Sequence, residues 1–94
     1  MPDVIKIEIL HKPEEKYRVN QIEKILKQAA NAAKMKVEIV RTTNFPAYSQ
    51  YSFNPAKTPI IFINKAIEFV GGVPVMLLVR RKLIEVRERD MWIL

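Results

Sequence analysis

The chain contains no cysteine and a single histidine among its 94 residues. Without a thiol it can form no disulfide, no thiolate nucleophile and no zinc-thiolate centre. One imidazole, that of His11, cannot build a histidine-rich metal centre either. No other pairing of a nucleophile with a base stands out. We therefore expect no metal, no cofactor and no catalytic residue, and we do not expect the chain to be an enzyme.

Long apolar runs are also missing. The longest nearly apolar run covers residues 70–79 and is interrupted by two glycines and a proline, whereas a membrane-spanning helix needs about 20 consecutive apolar residues. The first residues carry neither the basic nor the apolar region of a secretory signal. We expect a cytoplasmic protein that does not associate with membranes.

The length of the chain indicates one domain that covers residues 1–94. Its apolar fraction of 49% and charged fraction of 28% are those of an ordinary globular protein. One modest hydrophobic core is therefore expected.

Apolar periodicity predicts a strand, a long helix and a second strand in the first half of the chain. Alternating β-branched residues favour a strand at about residues 3–10. Apolar residues at spacings of three and four, from Val19 to Ala33, predict a helix over about 14–34. A second alternation predicts a strand over about 36–41. Two strands joined by one helix indicate a parallel pair with a right-handed crossover.

The second half is predicted to hold a long loop, a hairpin and a final helix. Residues 42–57 show no sustained period and carry two prolines, as in a functional loop or one that includes a short helix. Two apolar runs, 60–63 and 66–70, flank the pair Asn64-Lys65 and predict a β-hairpin. A final helix follows the glycine pair. Its inward face is predicted to hold Val75, Leu78, Val79, Leu83 and Val86.

In this order of elements, Thr58-Pro59 comes directly before the hairpin and Gly71-Gly72 before the last helix. The arrangement resembles the thioredoxin-like superfamily, particularly its small glutaredoxin-sized members. The resemblance covers nearly the whole chain, to about Glu85. It implies an α/β fold in which β-α-β, a β-hairpin and a C-terminal α-helix form a four-stranded mixed sheet with its helices. It also implies that Pro59 takes the place of the family's cis-proline.

In that family a redox Cys-x-x-Cys lies between the first strand and the first helix, where the helix dipole lowers the pKa of a thiol. Here residues 10–17 read Leu-His-Lys-Pro-Glu-Glu-Lys-Tyr. No thiol can be placed there, so oxidoreductase activity does not carry over. Glutathione conjugation by a serine or tyrosine variant needs an extra helical domain, for which this chain has no room.

Binding does not need a thiol. The family pairs a main-chain edge at the residue before the cis-proline, here Thr58, with an extended peptide or with glutathione. The resemblance therefore implies a protein or peptide partner and makes Thr58 and Pro59 candidate binding residues. His11 and Lys12 follow the first strand, at the end of the sheet where open α/β sheets bind ligands, and they are further candidates.

Aromatic residues in the long loop are candidates for an interface. Tyr48, Tyr51 and Phe53 are interleaved with polar residues, so they either fold back over the core, contact a partner or stack on nucleobases. The chain ends in four apolar residues that include Trp92 and are expected to dock on the domain or on a partner. A homodimer through the aromatic loop or the tail is one expected assembly.

The net charge of +6 supports a second hypothesis, a small basic nucleic-acid-binding domain. Such a domain would have a ferredoxin-like βαββαβ fold with Met91–Leu94 as its fourth strand. Interspersed acidic residues favour a solvated, ion-paired surface instead, and abundant charge is also typical of heat-adapted proteins. A third, enzymatic interpretation with His11, Lys12 and Tyr17 has no spacing that supports a named reaction.

Overall fold

A computed structural model describes residues 4–92, with side chains through residue 89. Within that range lie four strands and two α-helices. In chain order they are β1 (Val4–Leu10), α1 (Lys16–Ala32), β2 (Lys36–Thr42), β3 (Ile60–Ile63), β4 (Ala66–Val70) and α2 (Met76–Trp92). Short 3-10 helices lie at Pro13–Glu15, Phe45–Tyr48 and Pro55–Lys57.

The four strands form one mixed sheet in the order β2-β1-β3-β4. β1 and β2 are parallel, and β3 runs antiparallel to both β1 and β4. The predicted architecture, β-α-β followed by a hairpin and a C-terminal helix, is therefore confirmed. The ferredoxin-like alternative is wrong, because α2 continues through Trp92 where that alternative required a strand. The rest of the proposed fourth strand, residues 93–94, lies outside the described residues.

Both faces of the sheet are covered, by different parts of the chain. The side chains of a strand point alternately to its two faces, so odd-numbered residues of β1 meet the helices and Leu10 meets the opposite layer. On the helix side, Ile5, Ile7 and Ile9 pack with α1 and α2 residues that include Val19, Ile22, Leu26, Val79, Leu83 and Val86. On the other side, Leu10, Ile60 and Phe62 pack with the loop residues Phe45, Tyr48, Tyr51 and Phe53.

The first helix differs from its predicted bounds at both ends. Its first turn, Pro13–Glu15, is a 3-10 helix, and the α-helix ends at Ala32. Lys34 then takes the left-handed conformation with φ of 55°. The N–H of Met35 donates to the carbonyl of Ala30 at 2.9 Å, as in a Schellman ending. The left-handed residue, which the apolar period does not encode, stops the helix two residues early.

The inward face of α2 is smaller than predicted. Val79, Leu83 and Val86 are buried, but Val75 and Leu78 are exposed, which corrects the prediction for these two residues. Val75 precedes the helix, which begins at Met76. Leu78 and Val79 are about 100° apart around the helix axis, because an α-helix has 3.6 residues per turn. A buried stripe centred on Val79 therefore leaves Leu78 at its side.

The hairpin follows its prediction. Asn64 and Lys65 both have positive φ, 48° and 68°, as a two-residue hairpin turn requires. Asn64 also ties the turn to β1, since its N–H donates to the Lys6 carbonyl at 2.9 Å and its side-chain oxygen accepts from the Lys6 N–H at 3.0 Å. This double contact fixes the register of β1 against β3.

Candidate functional site

The ladder between β1 and β3 stops at the pair Leu10/Ile60. In an antiparallel ladder every second pair exchanges main-chain hydrogen bonds. Lys6 and Asn64 form one hydrogen-bonded contact. Every second pair along the strands is then a bonded pair, which makes Leu10/Ile60 the last one in the ladder. If the ladder went on, the next bonded pair would join Lys12 to Thr58.

That last pair does not form, because the chain turns at Lys12 into the first helix. The Lys12 N–H donates to Oε1 of Glu15 at 2.7 Å. The Lys12 carbonyl accepts from the Glu15 N–H at 3.0 Å and from Nδ1 of His11 at 2.8 Å. The main chain of Lys12 is thus engaged within its own turn and is withdrawn from the ladder.

Thr58 is left as the unpaired end of the ladder. The residue is buried, with 5% of its surface exposed. Within residues 4–92, its hydroxyl has no hydrogen-bond partner, and its N–H and C=O are not paired in the β1–β3 ladder. Buried main-chain groups are paired in more than about 90% of cases. A buried hydroxyl without a partner, beside main-chain groups that the ladder leaves out, therefore makes Thr58 a candidate binding residue.

The bond between Thr58 and Pro59, whose isomer the sequence does not determine, is cis. The Pro59 carbonyl accepts from the Gly71 N–H at 2.8 Å, which joins this loop to the end of β4. Asn54 begins the short helix ahead of the loop, and its side chain accepts from the Ala56 N–H at 2.9 Å. Hydrogen bonds on both sides thus hold the loop that carries Thr58 in place.

The structure brings His11 and Lys12 to this end of the sheet but gives them different surroundings. His11 is buried, and its N–H donates to the Thr42 carbonyl at 3.0 Å. Lys12 is half-buried and lines an open depression of about 450 Å³. The other lining residues are Glu14, Glu15, Tyr17 and Arg18. His11 is therefore part of the interior of the domain, whereas Lys12 borders the open depression.

The aromatic candidates fold back over the sheet. Tyr48 is buried, and its ring centroid lies 5.0 Å from that of Phe62. Tyr51 and Phe53 are half-buried on the same layer, and the Tyr51 ring lies 4.8 Å from Phe62 at a steep angle. A contact between these residues and a partner stays a prediction. The Trp92 side chain lies outside the described residues.

Glu8 is a buried polar residue that sequence reasoning missed. It stands in the middle of β1 with 9% of its surface exposed, and it accepts a hydrogen bond from the Tyr48 hydroxyl. Burial and the nearby Glu8 carboxylate raise the pKa of Tyr48 above its ordinary value. The strand alternation assigned Glu8 to a polar face, since a sequence pattern does not show that a distant loop covers that face.

The described residues hold no group of three or more side chains suited to bind a metal ion. No helix in residues 4–92 is long and apolar enough to cross a membrane. Comparison of the chain with protein-family models, curated proteins and solved structures gives no match.

Proposed function

We propose that the chain is a cysteine-free member of the thioredoxin-like superfamily that binds an extended segment of a partner protein at Thr58, without redox chemistry. The order of the elements and the strand order of the sheet support this membership. Because the chain has no cysteine, the proposed binding does not involve thiol chemistry.

The main chain of Thr58, which the β1–β3 ladder leaves unpaired, is the observation that carries the proposal. A segment in extended conformation adds to a sheet by supplying the N–H and C=O groups that a ladder lacks. The β1–β3 ladder lacks them at Thr58, because Lys12 has turned away into the helix. A bound segment would take the position that Lys12 leaves.

Main-chain bonding at one residue gives little affinity by itself. Two hydrogen bonds contribute roughly 1–3 kcal/mol together, whereas a micromolar complex needs about 8 kcal/mol. Side chains of the bound segment must therefore find contacts on the surface next to Thr58. Lys12, which follows the strand paired with β3, and the depression that it lines are candidates for such contacts.

Selection from a random decapeptide library displayed on phage, against the immobilised full chain, tests the proposal. Each selected peptide is then synthesised in a series in which one backbone nitrogen at a time is methylated. We expect one or two methylation positions to weaken binding at least tenfold, because methylation removes the N–H that pairs with Thr58. Failure to select any binder, or equal binding by every methylated peptide, would contradict the proposal.

A further inference from the structure

A row of apolar side chains lies exposed where β4 leads into α2. Six residues of this segment expose a third or more of their surface, and Leu77 reaches 66% and Val75 60%. We call these residues the apolar rim; they are Val70, Val73, Val75, Met76, Leu77 and Leu78. Contiguous exposed apolar surface in a globular protein marks an interaction site more often than isolated exposed residues do.

The apolar rim begins at the Thr58 loop. Val70 pairs with Ile60 in the sheet, and the N–H of the next residue, Gly71, donates to the Pro59 carbonyl at 2.8 Å. A side-chain carbon built on Gly71 would lie 3.6 Å from the Lys57 carbonyl oxygen, so the two loops are in contact. A segment bound at Thr58 therefore has the start of the apolar rim, at Val70, as a neighbouring surface.

The border of the apolar rim is basic. No acidic residue occurs between Glu68 and Glu85, while Arg80 and Arg81 are exposed. Residues three and four positions apart are neighbours on a helix, so Arg81 lies beside both Leu77 and Leu78. An acidic group brought to the apolar rim would meet these guanidinium groups, and a second copy of this basic chain would be repelled.

We infer that the apolar rim binds apolar side chains of the same segment that pairs with Thr58, and that Arg80 and Arg81 select segments in which Asp or Glu flanks those side chains. This inference rests on the proposed function and adds the chemistry of the partner. A protein segment fits better than a lipid bilayer, because a bilayer has no main-chain groups to pair with Thr58.

Three fluorescein-labelled nonapeptides with one apolar core, Leu-Val-Leu-Val-Leu, test the inference by fluorescence anisotropy. Two residues on each side of the core are Asp and Glu in the first peptide, serines in the second and lysines in the third. We expect the acidic peptide to bind at least tenfold more tightly than the lysine peptide. The double variant Leu77→Ser/Leu78→Ser should weaken the acidic peptide tenfold or more.

Matched variants separate these effects from general damage. Val4→Ser removes an exposed apolar side chain at the start of β1 and should leave the affinity unchanged. Arg81→Gln should weaken the acidic peptide two- to fivefold but not the serine peptide, and Arg87→Gln should change neither. Circular dichroism melts check that each variant is folded, which is expected because the substituted residues are exposed.

Equal affinity for the three peptides, or full affinity in the double serine variant, would overturn the inference. The proposed function would still stand in that case if backbone methylation continued to weaken the selected peptides. Rim-dependent binding to vesicles with phosphatidylserine, in the absence of peptide binding, would assign the apolar rim to a membrane instead. A Leu77-dependent dimer in sedimentation equilibrium would assign it to a second copy.

Discussion

The Tyr48 hydroxyl donates a hydrogen bond to the Glu8 carboxylate, and so ties the loop between β2 and β3 to the middle of β1. Both residues are buried. Tyr48→Phe keeps the ring packing on Phe62 but leaves the carboxylate without this donor. We expect the free energy of unfolding in urea to fall by about 1.5–3 kcal/mol, the usual contribution of a hydrogen bond to a charged group.

Tyr51→Phe is the matched control for that substitution. The Tyr51 ring packs on the same layer, but its hydroxyl takes part in no hydrogen bond within the described residues. We expect its effect to stay within about 0.5 kcal/mol. Equal losses in the two variants would show that the Glu8 contact is not the source of the effect.

The raised pKa of Tyr48 predicts a loss of stability at high pH. Up to about pH 10, the ordinary tyrosine pKa, folded and unfolded chains both hold the phenolic proton. Above it the unfolded chain releases that proton and the folded chain retains it, so the free energy of unfolding falls with a slope that steepens toward about 1.4 kcal/mol per pH unit. Urea unfolding at pH 9, 10 and 11 measures the slope.

Tyr48→Phe removes this contribution to the pH dependence. Its unfolding free energy should fall less steeply than that of the unaltered chain between pH 10 and 11, since the other titrating groups are shared. If the unfolding free energies of the two proteins fell equally steeply with pH, the pH dependence could not be assigned to Tyr48.

The buried hydroxyl of Thr58 predicts that Thr58→Val stabilises the fold. Valine has nearly the same shape and removes a polar group that has no partner in the described residues. We expect the free energy of unfolding to rise by about 1 kcal/mol. The exposed Thr43 serves as control, and Thr43→Val should change stability by less than about 0.5 kcal/mol. A lower free energy of unfolding for the Thr58→Val variant would show that the hydroxyl is hydrogen-bonded in solution.

The positive charge of the chain predicts only weak attraction to nucleic acid. Several basic groups are held by acidic partners: Lys82 and Arg89 both reach Glu68, at 3.6 and 3.7 Å, and Arg41 lies 3.6 Å from Glu23. We expect a labelled 20-nucleotide DNA strand to bind with a Kd above about 10 μM at 150 mM salt, weaker than the specific complexes of nucleic-acid-binding proteins. Submicromolar binding that falls steeply with salt would favour the nucleic-acid hypothesis instead.

Features set by local chemistry could be predicted from the sequence. The pair Asn64-Lys65 specifies a hairpin because asparagine adopts positive φ readily. The strands on either side follow from their apolar runs, and the place of Thr58-Pro59 follows from the order of the elements. Thr58 is therefore a candidate that the sequence alone supplies, and binding there stays a prediction.

Features set by distant parts of the chain could not be predicted in this way. Glu8 is buried because a loop some 40 positions later covers that face of β1. Leu78 is exposed because α2 is rotated so that Val79, Leu83 and Val86 face the core. Packing against the rest of the domain determines this rotation. The apolar pattern alone allows either rotation of α2.

The most direct test of binding at Thr58 is amide exchange measured by NMR on the ¹⁵N-labelled chain, with and without a selected peptide. At saturation we expect the Thr58 amide to shift and its hydrogen exchange to slow at least tenfold, because the peptide carbonyl accepts its proton. The amide of Glu38, in the edge strand β2, should change little. A saturated complex that leaves both the shift and the exchange rate of the Thr58 amide unaltered would contradict binding at this residue.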